Sequence, residues 1–419
     1  MPGYATIHPF SDGNCLHGKD VLCAVPVQCR VLYGVMMTSP TIVPVSLGER
    51  SYEIVIQAGL IDHLEERVHE LGVRGKVGIV TDRHVARHYL RGLLRVLDAC
   101  GVQAVPIILP PGEHSKTLTT IKHILDVLAS HRFERSSFLF ALGGGVVGDL
   151  AGFAAAIYQR GMPFVQIPTT LIAQSDSSVG GKTGVDHRLG KNLIGAFYQP
   201  KEVWIDPLTL RTLPKREWVG GLAEVIKYGV IADDMFFRSL ERDMPKLRDR
   251  QPDIVAAVVK RSCEIKADVV GADERESDRR RILNYGHTIG HALETLGGYK
   301  ALIHGEAVGI GMVQEADLAC FMGVCDKDVV ERIRTLVRAA GLPHRLPSWP
   351  SAKVWKAMMH DKKVSGGQVI GVWPEGIGCV RMMPIDEETF RRWHQIESSS
   401  VAVRPSSTKS RVKRRRTRA

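Results

Sequence analysis

The chain has 419 residues, 44% of them hydrophobic and 24% charged, which excludes a disordered or fibrous chain for its bulk and allows two or three globular domains. Of its formal charge of +11, eight positive charges and no negative one fall in residues 404–418, so the rest is nearly neutral and nucleic acid is expected only as a nonspecific contact of that tail. Eight scattered cysteines with no CxxC pair exclude a small secreted disulfide scaffold and predict reduced thiols in a cytoplasmic protein.

Residues 1–36 mix Pro, Gly, Cys and His without period. Asp12 and Asp20 precede the apolar Val21–Val27, where a secretory signal would place bases. Residues 1–40 are therefore expected to be disordered or a gene-model extension, with Met37 as the natural start. Residues 41–56 alternate apolar and polar and read as paired strands around Gly48; a helical stretch follows at 60–72. Strands are predicted at 77–80, 102–109, 138–142 and 164–167, with a helix over 118–130, the alternation of a parallel α/β sheet. The apolar stretch Phe138–Tyr158 contains five glycines and Asp149, so it reads as strand, glycine loop and helix rather than a membrane span. This α/β domain is assigned to residues 41–212. From Trp218 onward helix-period segments follow one another (218–233, 235–246, 252–270, 280–297, 304–323, 327–340), which assigns 213–396 to a mainly helical domain. Residues 397–419 lack an apolar period and are expected to form a disordered basic tail.

Gly143-Gly144-Gly145-Val146-Val147-Gly148-Asp149 falls where a buried strand ends and a helix begins, the place where bare backbone N–H groups hold a pyrophosphate. The loops Pro110–Lys116 and Pro168–Thr170 follow neighbouring strands, so three loops share the carboxyl edge of the sheet and point to a dinucleotide. Gln174–Asn192, polar and glycine-rich, reads as a long loop carrying Asp176, Lys182, Lys191 and Asn192, groups suited to hydroxyls or an anion.

His287 and His291 are spaced i, i+4, one helical face apart, which suits a shared metal or anion. His304 and a carboxylate would complete a catalytic zinc set; Glu224, Asp268, Glu294 and Glu306 all remain open for that role. Lys227, Lys266, Arg279, Arg280, Arg281 and the pair Lys362 and Lys363 concentrate positive charge in the same half, as an anionic substrate requires.

Read in order, QRGMPFVQIPTTLIAQSDSSVGGKTGVD, KNLIGAFYQP, GLAEVIKYG, LNYGHTIGHALE and HGEAVGIGM closely resemble the 3-dehydroquinate synthase family over residues 42–395. The resemblance implies a Rossmann-like nucleotide-binding α/β domain followed by a helical metal-binding domain, NAD and zinc (or cobalt) as cofactors, and a homodimer. It implies metal ligands Glu224, His287 and His304, and moves His291 to the substrate phosphate. It implies NAD contacts from Asp82, Glu113, Lys116, Gly144, Gly145, Val146, Asp149, Thr169, Thr170, Asp176, Lys191 and Thr212. Substrate contacts would come from Lys182, Asn192, Lys227, Lys266, Arg280, Asn284, His291 and Lys362 or Lys363, with Arg160 reaching over from the other subunit. One departure is His84, where the family often has Asn two positions past the aspartate.

The implied activity is that of a carbon–oxygen lyase acting on phosphates: 3-deoxy-D-arabino-heptulosonate 7-phosphate becomes 3-dehydroquinate and phosphate. Transient oxidation at C5 acidifies the C6 proton, phosphate leaves, the hydride returns, and an intramolecular aldol step closes the ring. Two rivals share the expected architecture: another sugar-phosphate cyclase of the valiolone or deoxy-inosose type, and a metal-dependent polyol dehydrogenase.

Overall fold

The computed structural model describes residues 39–361, 364–365 and 368–402, with side chains for 39–359 and 368–397, together with two short strands before residue 38. The chain divides at Thr38 into two units. In the first, β1 (Val31–Leu32) pairs antiparallel with β2 (Val35–Met36); most of the stretch expected to be disordered or an extension lies outside the described residues.

The second unit opens as the alternation predicts. β3 (Thr41–Val45) and β4 (Tyr52–Ile56) pair antiparallel from Thr41↔Ile56 to Val45↔Tyr52. Helix α1 (Glu65–Glu70) precedes β5 (Lys76–Asp82). A segment not read from the sequence, α2 (Arg83–Val85) and α3 (Arg91–Ala99) joined by a π-helical turn, comes next. Then follow β6 (Gln103–Leu109), α4 (Leu118–Ser130), β7 (Phe138–Gly143), α5 (Gly145–Ile157) and β8 (Phe164–Pro168). The long loop expected over 174–192 is instead a π-helical turn at 173–177 and a hairpin of β9 (Lys182–His187) and β10 (Gly190–Phe197). Its strand signal is masked because β10 is mostly solvent-facing and interrupted by glycines. Strand β11 (Glu202–Ile205) closes the layer. The large sheet has the order β3-β4-β11-β8-β7-β5-β6 and is parallel except for β3.

Burial explains why these segments are strands. Every residue of β7 is buried, and its side chains split by the two-residue period. Leu139 and Ala141 pack with Ile121, Leu128 and Leu150 of α4 and α5, while Phe140 and Leu142 pack with Val68, Leu93 and Leu97 of α1 and α3. Phe140 also meets Trp204 edge-on, 5.2 Å between ring centres.

The helical half comprises α6 (Lys215–Ala232), α7 (Asp234–Arg248), α8 (Pro252–Ala272), α9 (His287–Leu296), α10 (His304–Phe321), α11 (Lys327–Ala340) and α12 (Ser351–Asp361). A three-stranded sheet, β12 (Val364–Ser365), β13 (Gln368–Gly376) and β14 (Cys379–Ile385), and the helix α13 (Glu387–Ala402) end the described chain. Two expectations change here. The predicted helix 280–297 is a 3-10 turn, Arg279–Asn284, followed by α9, because Gly286 adopts φ 80 and breaks the run. Helix α13 continues past residue 396 into the segment assigned to the tail; propagation from a packed first half costs little once the helix is nucleated.

The two halves share one core: Val43, Ile54 and Val203 of the sheet pack in the same cluster as Leu222, Val225 and Ile226 of α6. That packing sets the carboxyl ends of β5 to β8 against the helices that carry the histidines.

Candidate active site

Between the strand ends and the helical half lies a cavity of about 1340 Å³. All twelve residues expected to hold the dinucleotide line it, as do Asn192, Asn284, His291 and His304. Asp82 accepts the backbone N–H groups of His84 at 2.7 Å and Val85 at 3.1 Å. Those bonds do not depend on the side chain at 84, so the His84 departure leaves the turn intact. A Cβ on Gly144 would lie 2.9 Å from Thr170 Cγ2, and one on Gly145 2.9 Å from Ser177 Oγ. Only glycine lets the backbone pass there. Helix α5 starts at Gly145 with no side-chain cap, and the buried hydroxyls of Thr169 and Ser177 make no hydrogen bond. Backbone N–H groups at a helix start and orphaned hydroxyls fit a pyrophosphate-bearing dinucleotide.

Around this cradle Lys116, 4% exposed, pairs with Asp149 at 2.6 Å and reaches Asn192 Oδ1. Lys191 Nζ lies 3.4 Å from Glu113, 3.2 Å from Glu294 and 4.7 Å from the Tyr299 ring centre. Tyr89 OH bonds Thr212 Oγ1 at 2.6 Å and fixes that threonine at the cavity edge.

Across the cavity, three imidazoles converge: ring centres are 5.2 Å apart for His287 and His291, 5.3 Å for His287 and His304, and 6.0 Å for His291 and His304. Glu224, fully buried on α6, places Oε1 at 3.3 Å from His287 Nε2 and 3.1 Å from His304 Nε2. Its Oε2 lies 2.5 Å from Lys227 Nζ. Burial would raise the Glu224 carboxyl, but Lys227 and His287 outweigh it and hold it well below the usual range. His287 Nδ1 faces Tyr285 O at 2.9 Å, which turns Nε2 toward Glu224. Donor atoms of Glu224, His287 and His304 all lie within 4.8 Å of one another, as do those of His291, Glu294 and His304. A carboxylate and two imidazoles are the donor chemistry of a catalytic zinc site. Geometry narrows the open carboxylates: Asp268 is exposed on α8, and Glu306 is engaged by Arg216 at 2.6 Å.

Two of the lysines expected to touch substrate, Lys227 and Lys266, sit behind the cavity wall on Asp176. Lys227 approaches it at 3.2 Å, Tyr228 OH donates to it at 3.0 Å, and Lys266 bonds both its carboxylate and, at 2.7 Å, its backbone oxygen. Burial works against the Asp176 anion, yet Lys227 and Lys266 bring its carboxyl down to about 2. Arg280 is 1% exposed and donates to Gly180 O at 2.9 Å, leaving its Nε without a partner. Lys182 pairs with Glu276, which also accepts from Asn284 Nδ2 at 2.7 Å. Arg160 lies outside this cavity, exposed at the end of the Tyr158–Arg160 turn with φ 64. Lys362 and Lys363 fall outside the described residues.

Sequence reasoning missed Glu276, for which no pattern signals a role, and the function of Glu294, whose i+3 spacing from His291 was a usable signal. It also missed Glu315, a buried carboxylate of α10 that accepts the N–H groups of Gly286 at 2.7 Å and Ile289 at 2.8 Å and so caps α9.

Comparison with known proteins agrees with this geometry. The family model described as 3-dehydroquinate synthase N-terminal matches residues 106–220, and that described as 3-dehydroquinate synthase C-terminal matches 221–364. A 3-dehydroquinate synthase from Thermodesulfovibrio yellowstonii is 50% identical over 339 residues, 81% of this chain and 94% of the relative. Another, from Citrifermentans bemidjiense, is 51% identical over 338 residues, 81% of this chain and 93% of the relative. Among solved structures, a 2-epi-5-epi-valiolone synthase from Streptomyces hygroscopicus subsp. jinggangensis, with NAD+ and Zn2+ bound, superposes with a TM-score of 0.78 at 28% identity, covering 85% of this chain and 99% of that one.

Proposed function

The chain belongs to the 3-dehydroquinate synthase family, and from that premise we propose that it converts 3-deoxy-D-arabino-heptulosonate 7-phosphate to 3-dehydroquinate and phosphate. The observation that carries this reading is the juxtaposition of the Glu224, His287 and His304 cluster with the buried cations Lys227, Lys266 and Arg280 beside a glycine cradle. Glu224, His287 and His304 would hold zinc, or cobalt in its place, and the strand-end loops would hold NAD. When bound, the dinucleotide supplies a transient hydride acceptor and the metal a Lewis acid.

The remaining work falls to the chain's own groups. Arg280, with an unpaired Nε, and Lys266 supply buried positive charge for the substrate carboxylate. Lys182, Asn192, Asn284 and His291 take the phosphate. Lys227 is pinned between Asp176 and Glu224, so it holds the Glu224 carboxylate ionised beside the reacting hydroxyl. The shared core holds the sheet edge against the helices that carry these groups.

A homodimer is part of this proposal: Ile157, three residues before Arg160, is an exposed apolar residue, as are Leu193 and Phe197 of β10, and Arg160 would then reach the phosphate site of the other subunit. The cytoplasm is the proposed compartment, in keeping with unpaired Cys100, Cys263, Cys320, Cys325 and Cys379 and with no described helix long and apolar enough to cross a membrane. The basic tail is left with nonspecific polyanion contact.

The decisive assay supplies the heptulosonate phosphate with catalytic NAD. Phosphate and dehydroquinate appear together and no NADH accumulates. Stoichiometric NADH makes the chain a polyol dehydrogenase, and turnover only of a heptulose phosphate without a carboxylate makes it a valiolone-type cyclase.

A further inference from the structure

Glu294 lies on α9, 3% exposed, and belongs to neither the ligand set nor the cofactor contacts assigned above. Its two carboxylate oxygens face different partners. Oε2 is 3.2 Å from His304 Nδ1, and Oε1 is 3.2 Å from Lys191 Nζ. The opposite nitrogen of the same imidazole, Nε2, faces Glu224. A histidine that binds a metal through Nε2 needs Nδ1 protonated and its ring plane fixed, and a carboxylate on Nδ1–H does both. Lys191 follows Gly190 at the start of β10 and lines the dinucleotide cavity, so one buried carboxylate joins the hairpin over the cradle to the metal histidine.

Resting on the metal and NAD reading above, we propose that Glu294 is a positioning residue that orients His304 toward the metal and, through Lys191, couples metal affinity to dinucleotide affinity. The direction follows from the geometry. A dinucleotide phosphate that draws the Lys191 ammonium away leaves the whole carboxylate charge to His304, so NAD tightens the metal and, by linkage, the metal tightens NAD to the same degree.

The test is zinc affinity of the full chain by chelator competition, with and without saturating NAD, for the native protein and for Glu294→Ala, Glu294→Gln and His304→Ala, with thermal melts confirming folding. Glu294→Ala weakens zinc by about 10–100-fold. Glu294→Gln keeps an acceptor for Nδ1–H and so stays within about threefold of native zinc affinity, but it loses the ion pair with Lys191 and with it the roughly fivefold or larger effect of NAD on zinc. Native zinc affinity in Glu294→Ala, or an NAD effect that persists in Glu294→Gln, overturns the proposal. Zinc loss in Glu294→Gln as complete as in His304→Ala also overturns it, by making Glu294 a ligand. Native zinc affinity in His304→Ala instead overturns the metal reading on which it rests.

Discussion

His304 and Lys266 are the residues whose proton affinities the fold shifts in ways an experiment can read. Burial works against the His304 cation, but the carboxylates of Glu224 and Glu294 on its two nitrogens raise it to about 10. Burial leaves His287 neutral above about 4. Metal-free protein at pH 7.5 therefore carries a proton on His304 Nε2 that a metal must displace. Zinc uptake is expected to release about one proton, and zinc affinity to rise with pH from 7 toward 10. Titration calorimetry in buffers of different ionisation enthalpy measures the number, and a release of zero contradicts the ligand assignment. Lys266 moves the other way. Burial lowers its ammonium to about 8, Asp176 opposing and Arg280 assisting. Between pH 8 and the usual 10.5 the unfolded chain holds a proton that the folded chain has lost, so this group favours folding more as pH rises through that window. Substrate affinity should fall over the same window, and Lys266→Arg, which cannot lose its charge, should flatten that limb of a Kd-against-pH plot. At this scale the family blocks marked Glu224, His287 and His304, whose donor atoms the structure brings within 4.8 Å of one another. Lys227 and Lys266 were legible as cations, but their shared hold on Asp176 joins segments far apart in sequence and was not.

At the scale of elements, the strands of the parallel sheet were readable because burial on both faces makes near-continuous apolar runs such as FLFALG. The β9–β10 hairpin was not, since one of its strands faces solvent and glycines interrupt it. The break before α9 was also hidden: a glycine inside a helix-period segment looks tolerable until its φ is known. Gly286 is left-handed at φ 80, and a Cβ there would lie 2.5 Å from Met312 Cγ. Gly286→Ala is expected to cost roughly 2–4 kcal/mol from conformational strain and overpacking. Because Glu315 caps α9 through Gly286 N–H, the same change should rotate His287 and lower zinc content. Urea unfolding and metal analysis of the variant check both, and native values in each would show that α9 is not set by this turn.

For the molecule as a whole, the periodic segments announced a sheet half and a helical half, but not that Val43, Ile54 and Val203 share a core with α6, because packing between distant segments leaves no local period. Helix α13 is similarly tied in: Phe390 and Trp393 are buried with Trp355, Met358 and Trp373. Trp393→Ala is expected to lose about 3–5 kcal/mol of stability while leaving NAD binding unchanged, as Trp393 does not line the cavity. Denaturant midpoints and NAD titration test this, and a lost NAD affinity would mean that α13 shapes the cleft.

Glu276 gives the molecule a property of selection. It holds Lys182 and Asn284 before any substrate arrives, so the site proposed above for the phosphate is already occupied by a tethered carboxylate. A visiting anion binds only by evicting that internal competitor. A singly charged ion such as chloride or acetate brings no more charge than the group it must replace, whereas a phosphate ester brings nearly two negative charges and additional acceptor oxygens. On that assignment the site would pass over the common small anions of its surroundings and open for a ligand of higher charge.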